Sequence, residues 1–321
     1  MRVLVVGGTG FIGAHLCREL HERGHEVTAL SRSPEDDTLP ADVRTAMGDV
    51  TAYDSIEGAF EGQDAVVNLV ALSPLFRPSG GNEMHYRVHE EGTANVVRAA
   101  EEHGVGLLVQ MSALGADPNG ETASIRAKGL AEGIVRESDL EWVIFRPSVV
   151  FGDGGEFLRY TKQLALPYLT PLPGGGKTRF QPIWIGDIVP MLADAVDGGE
   201  QGADRSDGAT GGNPHVGHVY EIGGPEVLTL AEIAELAHGA DGRSAEVVSI
   251  PMPIASVGLR SLDFVPASVL DALPGVPRMG SDQYRSLKFD NTVDENDVTA
   301  FGVAPGELLT LAAYLADSAA E

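Results

Sequence analysis

Cysteine is almost missing from this chain. Cys17 is the single one in 321 residues, which excludes an intrachain disulfide and any cysteine-built metal site. It falls inside an apolar helical stretch, "FIGAHLCREL", and reads as a small buried side chain. Positive charge is also short: 22 Lys and Arg face 47 Asp and Glu, for a formal charge of −25, and only 4 of the basic residues are lysine. Such a chain repels nucleic acid and anionic lipid, so neither is expected as a general partner. The acids are spread along the chain rather than massed in a tail, a pattern suited to concentrated salt, where self-repulsion is screened. Long hydrophobic runs are lacking as well. The opening "MRVLVVGG" is too short for a signal peptide, and no stretch reaches membrane-spanning length. Composition therefore predicts a protein of a cytoplasm, and of a high-salt one.

What is present is an alternation of two periods. "RVLVV" (2–6), "EVTAL" (26–30), "DAVVNLV" (64–70), "GLLVQM" (106–111) and "EWVIF" (141–145) are short aliphatic runs. Helical patterns lie between them, among them "FIGAHLCRELHERG" and "EEGTANVVRAAEEHG", the second closing on Gly104. Strands alternating with helices predict βαβ units and a doubly wound parallel sheet, α/β in class and of the Rossmann kind. The runs are nearly all apolar, as strands covered on both faces require. After residue 150 the rhythm changes. Gly and Pro cluster, a helix is expected over about 186–197, and the polar stretch 197–215 reads as a solvated loop. "HVYEIGG" reads as a strand and "LTLAEIAELAHG" as a helix capped by Thr229. The expected division is a nucleotide-binding domain over 1–150 and a smaller α+β lobe over 151–321, interleaved with it and carrying substrate or partner contacts.

Directly after the first strand, "RVLVVGGTGFIGAHL" sets Gly7, Gly10 and Gly13 at G-x-x-G-x-x-G spacing and opens a helix. Gly7 permits a tight turn, Gly10 lets the backbone approach a pyrophosphate, and Gly13 lets helix and strand pack closely. Thr9, Phe11 and Ile12 complete this cradle, whose helix-start N–H groups face the anion. Dinucleotide folds that prefer NAD place a carboxylate at the end of the second strand. Here that strand ends in Ser31-Arg32-Ser33. Arg32 can pair with a 2′-phosphate through its planar fork, so NADP(H) is expected over NAD(H). Asp49 and Val50, in "AMGDV", stand where an adenine amino group would be met. Asp49 can equally cap the helix that follows. Val70 and Ala71 are small residues to lie against the adenosine.

With these motifs in place the chain resembles the extended, atypical short-chain dehydrogenase/reductases, and within them the subgroup containing the Rossmann-fold accessory subunit of respiratory complex I. The stretches that carry the resemblance are "GGTGFIG", "GDV", "VVNLVA", "EGTANVVRAA", "MSALGAD", "RPSVVFG", "FQPIWIGDIV", "YEIGGPEVLTLAEIAEL" and "LKFDNTVDENDVTAFGV". It implies that Pro147 and Val149 border the nicotinamide and that Lys128 contacts the nicotinamide ribose. It also implies a catalytic set of an upstream serine, for which Ser112 is the candidate, and a tyrosine four residues before the lysine. That position holds Ser124. An aliphatic hydroxyl is far less acidic than a phenol of pKa about 10 and is shorter by a ring. Ala113 and Leu114 are apolar where nucleotide-sugar epimerases carry hydroxyls. A displaced phenol, Tyr86, is the alternative acid. The expectation is an NADP(H) binder with a degenerate catalytic tyrosine, structural or redox-sensing, with a protein partner or a respiratory complex implied. An active reductase or nucleotide-sugar epimerase using rearranged residues is the alternative.

Two look-alike motifs are set aside. "HERGH" (21–25) fits H-E-x-x-H, but Gly24 ends the helix between the two histidines, so no metal site is expected. "PLPGGGKT" lacks the first glycine of a phosphate-binding loop, because Pro171 stands there. The apolar stretch 250–270 reads as ordinary lobe core rather than a lid or docking face.

Overall fold

The computed structural model describes residues 1–34, 39–163, 169–198, 212–242, 246–252 and 280–318. Seven parallel strands form the main sheet: β1 (Arg2–Val6), β2 (Glu26–Ser31), β3 (Arg44–Met47), β4 (Ala65–Asn68), β5 (Leu107–Met111), β6 (Glu141–Pro147) and β7 (Val219–Ile222). Their spatial order is β7-β6-β5-β4-β1-β2-β3. The order reverses between β1 and β4, and that crevice is where doubly wound sheets bind ligands. Val3 pairs with Val27 on one side and with Ala65 on the other. The late strand β7 is thus part of the first sheet, paired with β6 through Glu221 and Arg146.

The pleat explains the nearly continuous apolar strands. Val3 and Val5 point into a core with Leu16, Cys17 and Leu20 of α1 (Phe11–Glu22), while Leu4 and Val6 point into the opposite one. That second core holds Val96 and Val97 of α2 (Gly92–Glu102) and Val135 of α3 (Ala123–Glu137). On the first face α4 (Ile185–Asp197) lies beside α1 through Ile188, Leu192 and Val196. Each such fully buried aliphatic side chain contributes about 1.5–3 kcal/mol. At the edge of this layer Arg23 ties α1 to α4, reaching Asp194 at 2.6 Å and Asp197 at 3.3 Å. Cys17 is fully buried in this core.

The remaining elements form a smaller α+β lobe. Short strand pairs join 150–151 to 183–184, 179–180 to 228–229 and 169–173 to 246–250. Its core gathers Phe151, Phe157, Ile233, Leu311 and Leu315. Helix α5 (Leu230–Ala240) starts with a reciprocal cap, Thr229 and Glu232 each bonding the other's backbone N–H. The chain before α2 differs from the simple helix expected there, since Tyr86–Glu91 is π-helical. Most of the apolar stretch 250–270 and of the polar stretch 197–215 lies outside the described residues.

Candidate functional site

The carboxyl ends of β1, β2 and β4 meet around the glycine turn. Gly7 adopts φ +87°, and its N–H donates to the Leu30 carbonyl at 2.8 Å. A β-carbon there would come 3.3 Å from the Val70 nitrogen, so the chain ends after β1 and β4 nearly touch. At Gly13 a β-carbon would lie 2.1 Å from the Gly7 carbonyl, a distance no other residue could accept. Gly10 is the N-cap of α1 and no side chain caps that helix. Its first-turn N–H groups have no intrahelical acceptor and carry the positive end of the helix dipole. This concave, uncapped turn fits a pyrophosphate.

The other expected residues fall around it unevenly. Thr9 hydrogen-bonds the Ser33 carbonyl at 3.5 Å, holding the turn against the end of β2. Phe11 stacks edge-on with His15, and Ile12 packs against the first core. Arg32 and Ala71 are exposed. Asp49 accepts from the Thr51 N–H at 2.9 Å and the Thr51 hydroxyl at 2.8 Å through one oxygen, so part of its carboxyl is spent on a local turn. Burial pushes that carboxyl up, yet the Thr51 bonds and the guanidiniums of Arg32 and Arg87 leave it below the ordinary carboxylate value. Val50 is turned into the core against Gly92, and Asn95 takes its carbonyl at 2.7 Å.

Further along the crevice a cavity of about 430 Å³ opens, lined by Ser124, Lys128 and Val149 among others. Ser124, Lys128 and Glu132 share one face of α3 at successive i, i+4 steps. The start of that helix is fixed by Thr122, which accepts from the Ile125 N–H, and by Asp282, which accepts from the Ala123 N–H at 2.8 Å. Lys128 is buried and donates to the Ser112 carbonyl at 3.2 Å. Burial pulls its pKa down to about 8, with Glu132 opposing the shift. Ser112 stands outside the cavity lining, and its hydroxyl donates to the Glu132 carboxylate at 2.6 Å. Glu132 is 1 % exposed and is gripped by Arg146 through both oxygens, at 2.8 and 2.7 Å, and by Arg136 at 2.8 Å. Pro147, the next residue, accepts from the Leu114 N–H at 3.2 Å and so aligns the segment after β5 with the end of β6.

No phenol lines this cavity among the described residues. The Tyr86 hydroxyl accepts from Arg126 at 2.9 Å, away from the lining. His85, just before the π-helical segment, and His89, within it, are buried and stack with ring centroids 5.6 Å apart. Burial, reinforced by the Lys128 charge, holds His89 well below the usual histidine value, so it stays neutral and accepts from the Leu72 N–H at 3.5 Å. Glu132, Arg87 and the histidine pair were not reached from sequence. The i+8 step from Ser124 to Glu132 was the available signal for the first.

Fold and crevice together define a Rossmann-type dinucleotide-binding protein. A family model described as NAD(P)H-binding matches residues 7–163. The chain is 28% identical to the mitochondrial NADH dehydrogenase (ubiquinone) 1 alpha subcomplex subunit 9 of Arabidopsis thaliana over 302 residues, 91% of this chain and 71% of that protein. It is 31% identical to the 3-diazoavenalumate denitrifying reductase of a Streptomyces species over 226 residues, 61% of this chain and 72% of that protein. Among solved structures, the Thermus thermophilus UDP-glucose 4-epimerase in complex with NAD superposes with a TM-score of 0.61 at 22% identity, covering 89% of this chain and 99% of that one. The chain belongs to the extended, atypical short-chain dehydrogenase/reductases, is related to the complex I subunit, and takes a nicotinamide dinucleotide as its cofactor. No helix among the described residues is long and apolar enough to cross a membrane.

Proposed function

We propose that this protein holds NADP(H) as a structural or redox-sensing cofactor and has little or no tyrosine-type dehydrogenase turnover. The observation that carries it is the state of the two hydroxyl positions. Ser112 directs its hydroxyl into Glu132, at 2.6 Å, and Ser124 presents an aliphatic hydroxyl where a phenol would stand. A bound nicotinamide supplies or accepts hydride. What the cavity lining lacks among the described residues is a phenol to move the matching proton. In this reading Gly7, Thr9, Gly10, Phe11, Ile12 and Gly13 cradle the pyrophosphate, and Asp49, Val70 and Ala71 border the adenosine. Lys128 takes the nicotinamide ribose, with Pro147 and Val149 beyond it. Residues 1–150 form most of the nucleotide domain, and 151–321 carry the interleaved lobe that meets a substrate or partner, apart from α4 and β7, which complete the main sheet and its first layer. Preference for the 2′-phosphate is supported by Arg32 and Arg87, whose charges converge on Asp49 at the end of the sheet. Similarity to a subunit of a respiratory enzyme supports a protein partner, and the acidity supports a high-salt cytoplasm. A carbonyl panel tests the reading: NADPH oxidation stays at background, and turnover that vanishes on Lys128→Ala overturns it.

The open cavity over Lys128 favours a second reading, a reductase whose acceptor is protonated from another source. Tyr86→Phe abolishing a detected activity would establish Tyr86 as that source.

A further inference from the structure

The cavity over Lys128 has a chemical character that the cradle does not fix. Its walls are Leu114, Val149, Phe157, Phe180 and Phe289, and its volume falls within the 300–1,000 Å³ usual for ligand pockets, at about 430 Å³. Phe289 is half-exposed at 51 %, an aromatic ring left at the surface beside the cavity. Among the described residues charge in the lining is sparse: Asp117, Glu121 and Asp290, the last paired with Arg179, against Lys128. Binding a nucleotide diphosphate requires guanidinium forks or free helix N-termini. No arginine lines the cavity among the described residues. The nearby guanidiniums are engaged: Arg126 with Tyr86 and the Gly120 carbonyl, Arg179 with Asp290 at 2.6 Å, and Arg285 with Asp282 at 3.0 Å. The N-terminus of α3 is closed by Thr122 and Asp282.

We infer that this cavity takes an uncharged, mainly apolar small molecule, with one hydrogen-bond acceptor turned toward Lys128, and not a nucleotide sugar. Burial of hydrocarbon supplies the affinity, and the carboxylates of the lining reject anions. The inference rests on the proposed function only in placing the cavity beside the cofactor's reactive end. Ligand binding here requires no turnover.

The test is calorimetric titration of the full chain at pH 7 with 2-pentanone, 2-heptanone and 2-nonanone. Decanoate and UDP-glucose serve as charged comparators, and NADPH affinity is measured on the same preparation. Each added methylene is expected to tighten ketone binding about fourfold until the cavity is full. Phe289→Ser is expected to weaken 2-nonanone about three- to tenfold with NADPH affinity held. Affinity that ignores chain length, or tighter binding of decanoate or UDP-glucose than of 2-nonanone, overturns the inference. Ketone binding without NADPH binding refutes the cofactor reading instead, so the two failures are separable.

Discussion

Replacing Lys128 by methionine stabilises the cofactor-free protein at neutral pH. Lys128 is 7 % exposed, its ammonium meets one backbone carbonyl at 3.2 Å, and among the described residues Glu132 is the carboxylate charge that favours it. Burial lowers its pKa from 10.5 to about 8. At about 1.4 kcal/mol per pH unit, holding the proton in the folded state costs about 3 kcal/mol below pH 8. The sign follows from proton counts. Between pH 8 and 10.5 the unfolded chain binds more protons at this residue, so the native protein gains stability as pH rises through that window. Lys128→Met removes the cost, and a volume-conserving apolar side chain suits the site. Urea denaturation of cofactor-free protein at pH 7 therefore shows the variant about 1–3 kcal/mol more stable, after allowance for the lost hydrogen bond. The advantage shrinks by about 2 kcal/mol at pH 9.5. A variant less stable than the native chain at pH 7, or an advantage independent of pH, refutes the idea that Lys128 is held at a cost. Such a cost persists where a residue serves binding rather than folding.

Gly13→Ala forces a β-carbon into the Gly7 carbonyl and is expected to destabilise the fold by about 1–3 kcal/mol and to abolish NADPH binding, read by thermal unfolding and titration. Glu132→Gln leaves Arg146 without its buried partner and costs about 3–5 kcal/mol in denaturant unfolding, whereas Glu137→Gln, an exposed position on the same helix, stays within about 0.5 kcal/mol. Arg32→Glu is expected to reverse the preference for NADPH over NADH by tenfold or more in paired titrations; an unchanged ratio removes Arg32 from the 2′-phosphate site. Thr229→Ala breaks the reciprocal cap of α5 and lowers stability by about 1 kcal/mol without altering nucleotide affinity.

The sheet was legible because each strand is a short aliphatic run and both its faces are covered. Val3 and Val5 face one helical layer and Leu4 and Val6 the other, so no polar alternation blurs the period. The glycine turn was legible because three glycines at fixed spacing follow a strand and open a helix. What sequence did not reveal depends on contacts between distant segments. The membership of β7 in the main sheet rests on pairing across 75 residues, from Arg146 to Glu221. The π-helical turn over Tyr86–Glu91 has no periodicity distinct from that of an α-helix. In sequence Glu132 is one acidic helix residue among many, and the fold alone brings Arg146 and Ser112 onto it. Ser112 was expected as an upstream catalytic serine, and spacing alone could not show that its hydroxyl points into that carboxylate.

The most direct measurement is to denature freshly purified protein, kept in high salt, after incubation with a panel of carbonyl compounds, and to identify the released nucleotide and its oxidation state. NADPH recovered near one per chain and still reduced is the predicted result. Release of NADP+ with an equivalent of alcohol product, or of NAD(H) in place of NADP(H), contradicts it.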